Sequence, residues 1–153
     1  MTKINKIIYF VLTLFFFIFL DFYFSNLLLS SKFNIPDNDF LSIIFVQNTG
    51  AAFSLLENNP LILILFAVAA ILLIIIYGIK HVEKFSTFAC FWTALLISGI
   101  GCNLYERICF GYVRDFFKLN FIDFPVFNIS DIFINIGVIA LIVIIIKNKY
   151  LKK

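Results

Sequence analysis

Residues 60–79 read PLILILFAVAAILLIIIYGI, twenty positions without a charged side chain. A helix needs about 20 apolar residues to cross the hydrocarbon core of a bilayer. Inside lipid every backbone N–H and C=O must be satisfied within the segment, so such a run has to be helical. Working outward, residues 85–102 form a second long apolar stretch, and residues 7–29 form another, interrupted only by Asp21. Residues 131–146 form the last and shortest. The expected fold is an all-α membrane protein. Four transmembrane helices, at about 7–29, 60–79, 85–102 and 131–146, carry a small extracytoplasmic cap of β-strand and amphipathic helix. The 153 residues are expected to form a single domain.

Composition agrees with that reading. Apolar residues make up 63% of the chain and charged residues 14%. An ordinary soluble domain has roughly 45–50% and about 25%. So much apolar surface cannot be hidden in a water-soluble fold of this size, and disorder, a coiled coil, a disulfide-stapled module and nucleic-acid binding are excluded on the same ground. Lys3 and Lys6 precede the first run as they would in a signal peptide, but the apolar stretch is too long and no small-x-small cleavage site follows, which favours an uncleaved span.

The positive charges fix an expected orientation. The N-terminus, the loop at 80–84 and the C-terminus hold eight lysines, while the intervening segments on the other side hold four basic residues and seven acids. By the positive-inside rule both termini lie in the cytoplasm. Two segments then face outward. The loop at about 30–59 contains an alternating apolar run, Phe40–Val46, that reads as a short strand, and a short sheet is expected from 40–56. The stretch 103–130 reads as an amphipathic piece at the interface, anchored by Tyr105, Tyr112, Phe116 and Phe117.

Three acidic residues stand out by depth. Asp21 lies inside the first span, Asp131 opens the last, and Asp115 sits in the outer segment between them. Ionisable groups at membrane depth are costly and usually face a cavity or a partner. The plain alternatives are a helix cap for Asp131 and a solvated pair with Arg114 for Asp115. Asp115 and Asp131 lie on the same membrane face by topology. Two carboxylates brought close in a low-dielectric site share a proton, which is the logic of an aspartic protease. The three cysteines and single His81 have no metal-ligand spacing, and no phosphate loop or Ser or Cys nucleophile with a base in reach is present, so no cofactor is expected.

Four stretches, in order, resemble the motifs of the lipoprotein signal peptidase (signal peptidase II) family. They are Asp21 in the first span; Asn48-Thr49-Gly50-Ala51-Ala52-Phe53; Gly99 through Arg107 running into Gly111-Tyr112-Val113-Arg114-Asp115-Phe116; and Phe124-Pro125-Val126-Phe127-Asn128-Ile129-Ser130-Asp131. The resemblance implies an intramembrane aspartic endopeptidase that removes signal peptides from bacterial prolipoproteins, cutting before a lipidated Cys. It implies Asp115 and Asp131 as the catalytic pair, with Asn48, Asn103, Arg107 and Asn128 lining the site, Asp21 in support and Gly50 in a turn. Its implied partners are lipobox-bearing prolipoproteins and membrane lipid, with the protein acting as a monomer in the bacterial inner membrane. The chain departs from the family pattern at Ser25, where a basic residue is usual, at Glu106, where Asp is usual, and at Ser130, where Ala is usual. The rival reading is a proton-coupled carrier or channel using Asp21, Asp131 and Asn135 as a relay; a structural subunit with a partner-binding loop is a third.

Overall fold

A computed structural model describes residues 1–30, 38–51, 55–57, 59 and 60–150. Four helices and two strands follow the order α1 (Lys3–Leu29), β1 (Leu41–Asn48), α2 (Pro60–Lys80), α3 (Thr87–Phe110), β2 (Val113–Leu119) and α4 (Ile129–Tyr150). All four helices are long and apolar enough to cross a membrane.

The least apolar helix, α3, is the central one. It packs against α1, α2 and α4 and buries twelve residues, among them Thr93, Ser98, Asn103 and Glu106. Lipid cannot satisfy such groups, so a helix that carries them is placed inside the bundle. α2 is the converse case: none of its residues is buried. α1 buries one narrow stripe, Thr13, Phe17, Asp21 and Ser25, spaced four apart along a single face. Small residues let α3 and α4 approach closely. A Cβ on Gly99 would stand 2.5 Å from the Ser130 carbonyl oxygen, and one on Gly137 would stand 2.9 Å from Leu96 Cβ.

Helix ends follow local chemistry. Ser86 caps α3 by accepting the Ala89 N–H at 3.0 Å. At the other end Gly111 adopts φ +80° and its N–H returns to the Arg107 carbonyl. A left-handed residue there stops the helix and turns the chain back, a geometry glycine tolerates without a steric penalty. The chain then forms β2, antiparallel to β1, with Val46 opposite Asp115 and Asn48 opposite Val113. Phe127 adds a short bridge to the free side of β2 at Phe117.

This corrects the outer segment. The third helix continues eight residues beyond the apolar run, because Asn103, Glu106 and Arg107 face protein rather than lipid. Residues 105–120 do not form an amphipathic interfacial helix; they are the last turns of α3, the Gly111 break and most of β2. Tyr105 is exposed, but Phe116 is 2% exposed and packs near Phe45, so it is core rather than an interfacial anchor. The strand expected within 40–56 exists at 41–48 and pairs with β2; residues 52–54, which include the motif positions Ala52 and Phe53, lie outside the described residues.

Candidate active site

The site is assembled where β1, β2, α3 and the start of α4 meet. On β2 alternate residues point to opposite sides. Arg114 points back to α3, where its guanidinium pairs with Glu106 at 2.5 Å. Asp115 and Val113 point the other way, into a cavity of about 330 Å³. Arg114 is therefore not the partner of Asp115.

Asp115 is 1% exposed. Its Oδ2 accepts Asn48 Nδ2 at 2.8 Å, and its Oδ1 accepts Asn128 Nδ2 at 3.0 Å. Burial pushes the carboxyl up to about 7, the charge of nearby Asp131 adds to the rise, and the two amide donors work against it. Asp131 enters the same cavity from the first turn of α4. Its Oδ1 accepts Asn103 Nδ2 at 2.9 Å and its Oδ2 accepts the Asn128 N–H at 3.1 Å.

Asn128 ties the two acids together. Its Oδ1 accepts the Asp131 N–H at 2.8 Å, so Asn128 and Asp131 form a reciprocal cap of α4. Its Nδ2 donates both to Asp115 and to Asn103 Oδ1, each at 3.0 Å. Asp131 is thus a capping residue and a cavity residue at once. Asn48 is similarly double: its Oδ1 accepts the Gly50 N–H at 2.9 Å in an Asx turn while its amide holds Asp115.

Arg107 lines the cavity one turn beyond Asn103. Its Nη2 donates to the Gly50 carbonyl at 2.8 Å, which ties the β1 turn to α3. Its Nε is buried and has no hydrogen-bond partner among the described residues. Gly50 thus takes part through its backbone. Asp21 does not reach the cavity. It is 3% exposed, and Ser130 Oγ donates to its Oδ1 at 2.6 Å. Asp21 therefore supports the residue next to Asp131 from behind.

Two residues around this centre were not expected in a peptidase site, Asn135 having been singled out only for the rival relay. Ser130 stood out only as a departure, yet its hydroxyl bonds Asp21 and so links α4 to α1, beside the Phe17–Phe133 ring contact. Asn135 lines the cavity one turn along α4 from Asp131; its i,i+4 spacing from Asp131 was the signal that could have found it. Among the described residues no group of three or more His, Cys, Asp or Glu could hold a metal ion.

Fold and site define a multi-pass helical membrane protein with a paired-carboxylate centre at one end of its bundle. Residues 9–147 match the signal peptidase (SPase) II family, and the chain belongs to that family. It is 33% identical over 111 residues to a lipoprotein signal peptidase of Streptococcus pneumoniae, with 72% of each chain covered. It is 39% identical over 117 residues to one of Clostridium tetani, with 71% of each covered. A bacterial membrane enzyme solved at 2.3 Å matches with a TM-score of 0.82 and 26% identity, over 94% of this chain and 91% of that one. A second, solved at 1.9 Å, matches with a TM-score of 0.74 over 90% and 92%.

Proposed function

We propose that the protein is an aspartic endopeptidase of the bacterial inner membrane that removes the signal peptide from diacylglyceryl-modified prolipoproteins, cutting before the lipidated Cys. One observation carries the aspartic assignment: Asp115 and Asp131, on different elements, open into one cavity and are bridged by the same residue, Asn128. Family membership supports the peptidase activity and its substrate class, and it disfavours a carrier or channel. The polar groups also gather at one end of the bundle, whereas a proton pathway needs them at several depths.

The chemistry follows from one proton shared by two carboxyls. The protonated carboxyl donates a hydrogen bond to the scissile carbonyl oxygen, and the ionised one removes a proton from the attacking water. Burial of Asp115 suits this division, because it keeps a proton available near neutral pH. In the second half the proton passes to the leaving amine and the bond breaks. Asn48, Asn103 and Asn128 hold the two carboxyls in place through the contacts above. Arg107, charged and five-donor, lines the cavity and is placed to hold a substrate carbonyl or ester with the guanidinium N–H groups that Asn103 and Gly50 leave open.

The test is cleavage of a lipobox peptide bearing a diacylglyceryl Cys by the purified protein in lipid. Asp115→Asn and Asp131→Asn should each lose at least about 1000-fold in kcat while keeping the wild-type unfolding profile. Substantial activity in either folded variant would remove the pair from the mechanism.

A further inference from the structure

Asn135 has no structural duty that accounts for its position. It is exposed on α4 and lines the cavity beside Asp131, in a wall otherwise formed there by Ile132, Ile134 and Ile136. Its Nδ2 donates to the Asp131 carbonyl at 2.8 Å. That carbonyl is already the normal acceptor of the Asn135 backbone N–H within the helix. The extra bond therefore adds nothing the helix lacks; it fixes the side chain. The second amide hydrogen and both lone pairs of Oδ1 have no partner among the described residues. A polar group left open at membrane depth is costly, and one that faces a cavity marks a bound partner.

The occupant of that cavity, if the peptidase reading above holds, is a signal peptide, and this inference rests on that reading. A signal peptide crosses lipid as a helix. Its scissile bond can meet Asp115 and Asp131 only in an extended segment, so the last turn of the helix must open. Opening it frees backbone N–H and C=O groups where there is no water to receive them. Asn135 lies four residues, just over one helical turn, from Asp131, about 6 Å along the axis. It presents an acceptor and a donor, the complement of one peptide unit.

We infer that Asn135 is a substrate-positioning residue that takes up the backbone groups released when the signal-peptide helix opens beside Asp115 and Asp131. It acts on the peptide, on the signal-sequence side of the cleaved bond. The hydrocarbon tails of the lipidated Cys offer nothing for an amide to bond, and its ester carbonyls accept but cannot donate, so a peptide unit alone matches both groups of the Asn135 amide.

The test pairs an enzyme variant with a substrate variant, using full-length protein in lipid nanodiscs. Two lipidated lipobox peptides differ only four to six residues before the Cys, one keeping apolar helix formers there and the other carrying Gly residues that open the helix in advance. Asn135→Leu should lose about tenfold in kcat/KM on the helical peptide, as expected for one lost hydrogen bond to substrate. On the pre-opened peptide the loss should be less than about threefold. Asn135→Thr keeps an acceptor oxygen and should recover most activity on the helical peptide. Equal losses on the two peptides, or none on either, would overturn the role of Asn135 while leaving the aspartate pair in place. A wild-type protein that cuts neither peptide would overturn the peptidase reading, and this inference with it. Should Asn135→Leu fail to fold, the comparison of Asn135→Thr with Asn135→Val decides by the same criterion.

Discussion

Under the proposed mechanism, the alkaline limit of activity falls on a strand residue, Asp115, acting as one of a coupled pair with Asp131. Asp115 is buried and raised from an ordinary carboxyl value of 3.8 to about 7. A mechanism that needs one proton on the pair loses activity as the pH climbs through that value, so kcat/KM should fall on the alkaline side near pH 7. The Asn48 amide bonds the ionised form of Asp115 and so lowers its proton affinity. Asn48→Ala removes that donor, and the alkaline limb should move to higher pH, by about half a unit to one unit. Profiles of kcat/KM from pH 5 to 9 for both proteins check the direction; a limb that stays or moves down contradicts it. The macroscopic value belongs to the coupled pair, so the shift between proteins is the informative quantity. At this scale the sequence announced the acids but not their surroundings. Asp115 beside Arg114 looks like a surface ion pair in the linear chain. Only strand alternation, with Arg114 turned toward Glu106, separates the two side chains and leaves Asp115 with amide partners.

Elements hold that geometry through two contacts that are open to mutation. Glu106 on α3 accepts the Arg114 N–H and Nε, each at 2.7 Å, so one carboxylate fixes both the backbone and the side chain of the residue before Asp115. Both partners are buried, and removing one leaves an unpaired charge. Glu106→Gln should cost about 3–5 kcal/mol, and adding Arg114→Met should restore a large part of it. Unfolding in detergent, measured over the full double-mutant cycle, tests this; additive losses would mean that the pair is not coupled. The second contact is α3 on α4. Gly99→Ala would press a methyl into the Ser130 carbonyl and Ile134, at a cost of about 1–3 kcal/mol. Gly101 has open space around it, so Gly101→Ala should be neutral or stabilising by up to about 1 kcal/mol. Equal effects at 99 and 101 would refute the close packing. The four helices were legible because lipid demands long apolar runs. The length of α3 was not, since Asn103, Glu106 and Arg107 break the hydropathy signal exactly where protein replaces lipid as neighbour. Nor was β2: its first four residues are buried on both faces, and the burial of Arg114 depends on a carboxylate eight residues earlier.

For the whole molecule, the decisive matter is which end of the bundle faces outward. The aspartate pair and the sheet lie at one end. At the other, the Lys6 ammonium donates to the carbonyls of Val82, Glu83 and Phe85 at 3.3, 3.1 and 2.6 Å. This lysine ties the start of α1 to the loop between α2 and α3, so part of the basic end is structural as well as topological. The remaining lysines of that end outnumber its acids, and the opposite end is net acidic. Under the proposed orientation the basic loops stay in the cytoplasm, as translocation favours, and Asp115 and Asp131 would lie near the outer surface, where an exported substrate arrives. Lys118 on β2 and Lys147 near the end of α4 are both exposed and lie on opposite sides of the bilayer in this arrangement. In a Cys109→Ser background, which removes the exposed native thiol, a membrane-impermeant maleimide added to intact cells should label Lys118→Cys and leave Lys147→Cys unlabelled until the membrane is opened. Cys90 and Cys102 are buried and should stay silent in both cases. The reverse pattern would place the carboxylate pair in the cytoplasm, on the wrong side for cleaving an exported prolipoprotein, and labelling of both positions in intact cells would mean that the chain does not span the bilayer as four helices.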